Sequence, residues 1–228
     1  SEDQTSRLVA IARDPSKLAD SGVEVRQGDY GSVEQMQQAF AGVDTAVLVS
    51  TPAGVGDRVA LHRNVIKAAL AAGVRKVIYT SVIGNGDEMQ TMYAPMAEVN
   101  RQAEQDLQES GLIWIAARNG LYLEFDVAHI LNAAAEGVFR NNGGEGYCAY
   151  ITRNELAIAF ARLALAGHCD NRVVNLVGDA YTQAQLVEMV NHCAEINVRY
   201  EMSSDEECLA KMTPVRGAEV AAMLTGCY

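Results

Sequence analysis

Thr45-Ala46-Val47-Leu48-Val49, the segment from Val59 to Ala72, Gly73, and Lys76-Val77-Ile78-Tyr79 together decide the fold. Two short β-branched runs flank a stretch in which Val59, His62, Ile66 and Ala69 recur at helical spacing. A strand, a helix and a second strand in that order make a crossover unit, so the strands run parallel and need helices on both faces. Gly73 stands where the helix must stop before the next strand begins. His62 shares the apolar face and therefore points toward the sheet, a position where histidine is usually structural.

The alternation extends in both directions. Leu8-Val9-Ala10-Ile11 and Val23-Glu24-Val25 precede the unit, and Leu112-Ile113-Trp114-Ile115 follows it. Gly22, Gly42 and Gly111 mark further helix ends. Asp14-Pro15 reads as a cap with proline at the first helical position, and Ser32-Val33-Glu34-Gln35 as a capping box. The expected fold class is α/β, a doubly wound parallel sheet of the Rossmann-like, dinucleotide-holding kind over residues 1–122. After Tyr122 the pattern loosens into a helix near Val127 to Glu136, a link Asn141-Asn142-Gly143-Gly144, and a helix capped by Thr152-Arg153-Asn154-Glu155. A strand, Val173-Val174-Asn175-Leu176, and a helix opening Thr182-Gln183-Ala184-Gln185 follow. Residues 123–228 read as a smaller substrate-side lobe, partly interleaved with the first domain.

Such a fold ordinarily begins with a strand, a glycine-rich turn and a helix whose N–H groups hold the pyrophosphate. Here the chain opens on what reads as the second strand, with no G-x-x-G-x-x-G before Leu8, and Gly54-Val55-Gly56 follows the fourth strand instead. The expectation is a chain lacking that first strand and helix, ending before the terminal helices of its relatives, and binding the cofactor weakly by itself.

Composition narrows the function classes. Apolar residues make up 49% and charged residues 21% of the 228, which is ordinary for a globular domain. The longest apolar runs fall well short of the ~20 residues that span a bilayer, so no membrane segment is expected. The opening Ser1-Glu2-Asp3-Gln4-Thr5-Ser6-Arg7 has no signal core. Five scattered cysteines form no C-x-x-C, which suits free thiols in a reducing cytoplasm. A net charge of −11 repels phosphate backbones and excludes nucleic acid as a partner, so any anionic ligand must be held by local charge. His129, His168 and His192 lie in unlike contexts and make no metal set with the cysteines.

Several residues at strand ends suit a dinucleotide. Arg13 directly follows the strand through Ala12, where an arginine accommodates the 2′-phosphate of NADP; the competing reading makes Asp14 the specificity residue, although Pro15 suits it better as a cap. Lys17 adds charge one turn later. Gly28-Asp29-Tyr30 offers an acid and an aromatic to the adenine, or a plain turn. Ser50-Thr51-Pro52 makes a stiff, small-residue loop after the fourth strand, where backbone can approach a cofactor.

In order and spacing, several runs resemble the NmrA-like atypical short-chain dehydrogenases. These are Ile11-Ala12-Arg13-Asp14-Pro15-Ser16-Lys17, Val25-Arg26-Gln27-Gly28-Asp29-Tyr30, His62-Arg63-Asn64-Val65-Ile66-Lys67-Ala68-Ala69, Ile78-Tyr79-Thr80-Ser81 and Arg118-Asn119-Gly120-Leu121-Tyr122. They look most like the bacterial NAD(P)H:quinone oxidoreductase branch. The resemblance implies NADPH as cofactor and a small quinone as acceptor, held in a cleft between two lobes, and it is compatible with a homodimer. It implies that Arg13 meets the 2′-phosphate, Asp29 and Tyr30 the adenine, and Ser50, Thr51 and Pro52 the middle of the cofactor. Tyr79, Thr80 and Ser81 would floor the nicotinamide pocket, and Asn119, Gly120 and Tyr122 would face the substrate.

Two departures bear on the chemistry. Relatives usually carry a histidine or lysine where this chain has Asn100. Ser81 and Tyr93 have dehydrogenase spacing, but Ala97 stands where a lysine would lower the tyrosine's pKa, so Tyr93 reads as a loop aromatic. A quinone tolerates these losses, being a strong hydride acceptor already. The rival expectation is a non-catalytic NADP-binding redox sensor; a sugar epimerase or reductase fits less well without the lysine.

Overall fold

The computed structural model describes residues 7–84 and 86–228, so the opening Ser1 to Ser6 lies outside the described residues. Six segments build the doubly wound layer in chain order: β1 (Val9–Ala12), β2 (Glu24–Gln27), α1 (Val33–Ala39), β3 (Thr45–Leu48), α2 (Arg58–Ala71) and β4 (Lys76–Val82). After them come α3 (Ala94–Glu109), β5 (Ile113–Asn119), β6 (Leu121–Tyr122), α4 (Leu123–Asn132), β7 (Val138–Asn141), β8 (Cys148–Ile151) and α5 (Arg153–Leu165). The chain closes with β9 (Arg172–Leu176), β10 (Ala180–Tyr181), α6 (Gln183–Ala194), β11 (Arg199–Met202), α7 (Asp205–Arg216) and α8 (Ala218–Thr225).

The main sheet has the order β3-β4-β5-β9 and is parallel throughout. β1 and β2 form a separate parallel pair. Among the described residues β1 ladders only with β2, and β3 only with β4. The strand after the crossover helix α5 thus returns to the first domain's sheet, so the boundary at residue 122 is crossed by α5 and β9. β10, β8 and β6 form a second small sheet, in which β6 from the end of residues 1–122 ladders with β8, and β11 pairs with β7.

Strand periodicity divides the core between the two faces. Leu48, Val77 and Tyr79 pack with Val65, Ile66, Ala69, Ala103 and Leu107 beneath α2 and α3, and Met36 and Phe40 of α1 extend the same cluster. Ile78, Ile115 and Ala117 face the other way onto Leu163 and Phe160 of α5. A third cluster around Ile130, Tyr150, Leu186 and Val190 holds the lobe together.

Local signals act as their chemistry dictates. Gly22, Gly42, Gly73 and Gly111 all take φ between 72° and 83°, the left-handed region that ends a helix without a Cβ penalty. Thr152 and Thr182 make full capping boxes with Glu155 and Gln185. Ser32 caps α1 through the Gln35 N–H alone. The helix expected after Asp14-Pro15 is a single 3-10 turn, Pro15–Leu18, capped by Asp14. Among the described residues no helix is long and apolar enough to cross a membrane, and no cluster could hold a metal.

Candidate cofactor and acceptor site

The carboxyl ends of β3, β4 and β5 are tied together by side chains whose order follows from strand alternation. On one face the Ser50 N–H donates to Thr80 Oγ1 at 2.8 Å, and the Thr80 hydroxyl donates to Ser50 Oγ at 3.2 Å. Tyr79 and Ser81 turn to the opposite face. The Tyr79 hydroxyl donates to Asn100 Oδ1 at 2.7 Å, and the Ser81 hydroxyl to Glu104 Oε1 at 2.5 Å, both on α3. Three consecutive strand residues cannot floor one pocket. Thr80 sits with Ser50, while Tyr79 and Ser81 serve the layer behind them.

His62 lies completely buried between these groups. Its Nε2 accepts the Thr51 N–H at 3.1 Å, which leaves the proton on Nδ1, and Nδ1 has no hydrogen-bond partner among the described residues. The ring meets Tyr79 edge-on at 5.4 Å. Burial first, and then the neighbouring Arg58 charge, hold its pKa down to about 4, against a weak upward pull from Asp106. The imidazole is therefore a neutral acceptor that fixes Thr51. The core-facing position read from its helical spacing is realised.

The stretch Tyr79, Asn100, Ser81 and Glu104 contains no free proton donor. Asn100 is buried, and its amide donates to the Met96 carbonyl at 2.8 Å. Burial raises the Tyr79 pKa further above its ordinary range. Glu104 is only 3% exposed; burial pushes its carboxyl up, but hydrogen bonds from Arg118 and Ser81 and the charges of Arg101 and Arg118 win, and its pKa is lowered. Arg118 grips it in a fork at 2.9 and 2.6 Å. Arg101 adds a bond at 2.9 Å and reaches Glu88 at 2.9 Å. Tyr93 lies half-buried in the turn before α3, and the Gly226 turn packs on its backbone closely enough that a Cβ on Gly226 would approach Tyr93 N to 2.4 Å.

At the outer end, Arg13 is exposed and makes no ion pair among the described residues. Asp14 is committed to its cap, accepting from Ser16 N–H at 3.1 Å and Ser16 Oγ at 2.6 Å. Asp29 accepts the Gly31 N–H at 2.8 Å. The Tyr30 hydroxyl donates to the Val49 carbonyl at 3.2 Å, bridging the β2 and β3 ends, and the Asn64 amide holds the Tyr30 carbonyl at 3.0 Å. Pro52 is exposed.

On the lobe side, Asn119 ends β5 with only 5% exposure, and its Oδ1 has no hydrogen-bond donor among the described residues. Gly120 lets two backbones meet, since a Cβ there would come within 2.5 Å of the Ala149 carbonyl oxygen. Tyr122 stacks on the exposed Phe125 with centroids 5.8 Å apart.

A model of the NAD(P)H-binding family matches residues 2–163. The chain belongs to that family. It is 37% identical over 215 residues to quinone oxidoreductase 2 of Escherichia coli (strain K12), covering 92% of this chain and 73% of that protein. An NmrA-like family domain-containing oxidoreductase of Aspergillus flavus is 33% identical over 201 residues, covering 84% and 63%. Among solved structures, an NADPH complex of the Escherichia coli NADPH-dependent quinone oxidoreductase superposes with a TM-score of 0.81 at 33% identity, over 98% of this chain and 82% of that one. A Citrobacter triphenylmethane reductase reaches 0.82 at 30% identity, over 96% and 77%. The chain is thus an NAD(P)H-dependent oxidoreductase of the NmrA-like kind, on the Rossmann-like fold expected from its strand order.

Sequence reading missed Arg58 and the Glu104 cluster. The i, i+3 pair of Arg101 and Glu104 was a signal for the latter, but nothing in the sequence brings Arg118 to it.

Proposed function

We propose that the protein transfers hydride from NADPH to a small quinone at the carboxyl ends of β3, β4 and β5. The observation that carries the choice of acceptor is the internal commitment of the three β4 hydroxyls, Tyr79, Thr80 and Ser81. Tyr79 and Ser81 donate inward to Asn100 and Glu104, and Thr80 donates to Ser50, so none of the three is free to protonate a substrate oxygen at the moment of transfer. A carbonyl destined to become an alkoxide would need such a donor. A quinone accepts hydride first and takes its proton from water afterwards.

The residues fit the cofactor at both ends. Arg13, exposed and without an ion pair among the described residues, suits a 2′-phosphate, and Asp29 and Tyr30 lie at the next strand end for the adenine. The buried, donorless Oδ1 of Asn119 suits the amide of a nicotinamide ring. When bound, the reduced nicotinamide supplies the hydride. This chain's part is orientation: His62 and Thr80 fix the Ser50–Thr51 backbone, Pro52 stiffens its exit, Tyr79 and Ser81 brace the strand from behind, and Gly120 and Tyr122 shape the acceptor side. NADPH oxidation measured with and without a quinone tests the proposal.

The rival reading is a sensor that binds NADP without turnover, favoured by Asn100 at the position of a missing proton donor. Cofactor binding with no quinone-dependent oxidation would select it.

A further inference from the structure

We infer that the cleft between the N-termini of α2 and α3 and the face of α8 binds a small aromatic anion, with Arg58 as its recognition residue. The cleft measures about 260 Å³ and is lined by Val59, Pro95, Met96, Val99 and Met223 around the Arg58 guanidinium. That volume lies just below the drug-sized range and suits a fused two-ring aromatic, and the thioethers and aliphatic groups suit its faces.

Arg58 is what makes the cleft selective. It is only 7% exposed, yet it makes no ion pair with any carboxylate among the described residues. Its Nε donates to the Thr51 carbonyl at 2.8 Å and to Thr51 Oγ1 at 3.2 Å, and Nη1 meets only the Met96 sulfur at 2.9 Å, a weak acceptor. Nη2 has no protein acceptor among the described residues. A buried cation with no carboxylate in contact, and only the rim charge of Glu219 acting on it, is costly, and an anionic oxygen arriving in the cleft relieves that cost. With a net charge of −11 on the whole chain, only such a local cation can attract an anion.

Two carboxylates line the same cleft, and neither occupies the guanidinium. Asp57 accepts the Ala60 N–H at 3.0 Å as the cap of α2. Glu219, in the first turn of α8, is exposed at the rim. Its charge weakens anion binding without filling the site.

Because Arg58 also grips Thr51, whose N–H is held by His62, the cleft adjoins the segment assigned above to the middle of the cofactor. Resting on that reading, the bound anion is the acceptor, an acidic hydroxyquinone in preference to a neutral one.

The test is calorimetric titration of lawsone, a hydroxynaphthoquinone ionised at neutral pH, and of its uncharged methyl ether into the full chain without NADPH. Lawsone should bind about tenfold or more tighter than the ether. Arg58→Gln should abolish that preference and leave the ether within about twofold. Since Arg58→Gln also loosens Thr51, two variants that leave those bonds alone complete the test. Met223→Trp should block both ligands by filling the cleft, and Glu219→Gln should tighten lawsone by removing the rim charge. Equal wild-type affinities, or lawsone binding indifferent to Met223→Trp, would overturn the inference. If lawsone binds with this dependence while NADPH reduces no quinone, the cleft assignment stands and the acceptor reading falls.

Discussion

Acidification should destabilise the fold through His62 before general acid denaturation sets in. The ring is wholly buried, accepts the Thr51 N–H at Nε2, and has its pKa held down to about 4 from an ordinary 6.5. Because the folded pKa is lowered, the unfolded chain takes up the proton first. The stabilising contribution is complete above the unfolded pKa of 6.5 and is lost as the pH falls through the folded value of about 4. At roughly 1.4 kcal/mol per pH unit the full loss is about 3 kcal/mol, of which about 2 kcal/mol is gone by roughly pH 5. Carboxylates titrate in the same region, so the assay compares urea unfolding free energies of the wild type and His62→Gln at each pH. Glutamine can still accept the Thr51 N–H but does not ionise. The difference between the two proteins should shift by about 3 kcal/mol against the wild type on going from neutral pH to below the folded pKa. Parallel curves would refute the reasoning and mean that His62 gains a proton in the fold as readily as in the open chain.

Arg13→Ala should weaken NADPH by about 1.5–3 kcal/mol and leave NADH nearly unchanged, because a charge-assisted bond to the 2′-phosphate is lost; equal loss of both cofactors by titration would make Arg13 structural. Glu104→Gln should cost roughly 3 kcal/mol in chemical unfolding, the low end for a broken buried pair because the Arg118 side chain keeps 27% exposure. Gly120→Ala should cost about 1–3 kcal/mol, since the new methyl meets the Ala149 carbonyl and a backbone cannot rotate away; an unchanged melting temperature would show that β6 and β8 part easily. Tyr122→Ala should raise the KM for quinone more than it changes NADPH affinity, whereas Asn119→Ala should weaken NADPH binding measured by titration. Unchanged quinone kinetics in the first, or unchanged NADPH affinity in the second, would remove that residue from the site.

The fold was legible where local chemistry and tertiary packing agree. The valine-rich runs, the helix-ending glycines and the threonine caps each solve a backbone problem within a few residues, and they stand where the sequence put them. Helical spacing also foretold the burial of His62. The lobe was less legible because its strands are two to four residues long and pair across distant segments, as β11 does with β7. Tyr79-Thr80-Ser81 reads as one patch in a line of sequence, yet a strand sends its middle residue to the opposite face. Arg58 was invisible for a related reason: an arginine at a helix start looks like a solvated charge until the Thr51 loop and Met96 of α3 pack on it.

The central proposal is hydride transfer from NADPH to a quinone. Anaerobic mixing of the protein with NADPH and a naphthoquinone, followed by nicotinamide absorbance, tests that directly. One nicotinamide oxidised for each quinone reduced, at a rate proportional to protein, is the predicted result; NADPH that stays reduced beside every quinone while still bound would contradict it.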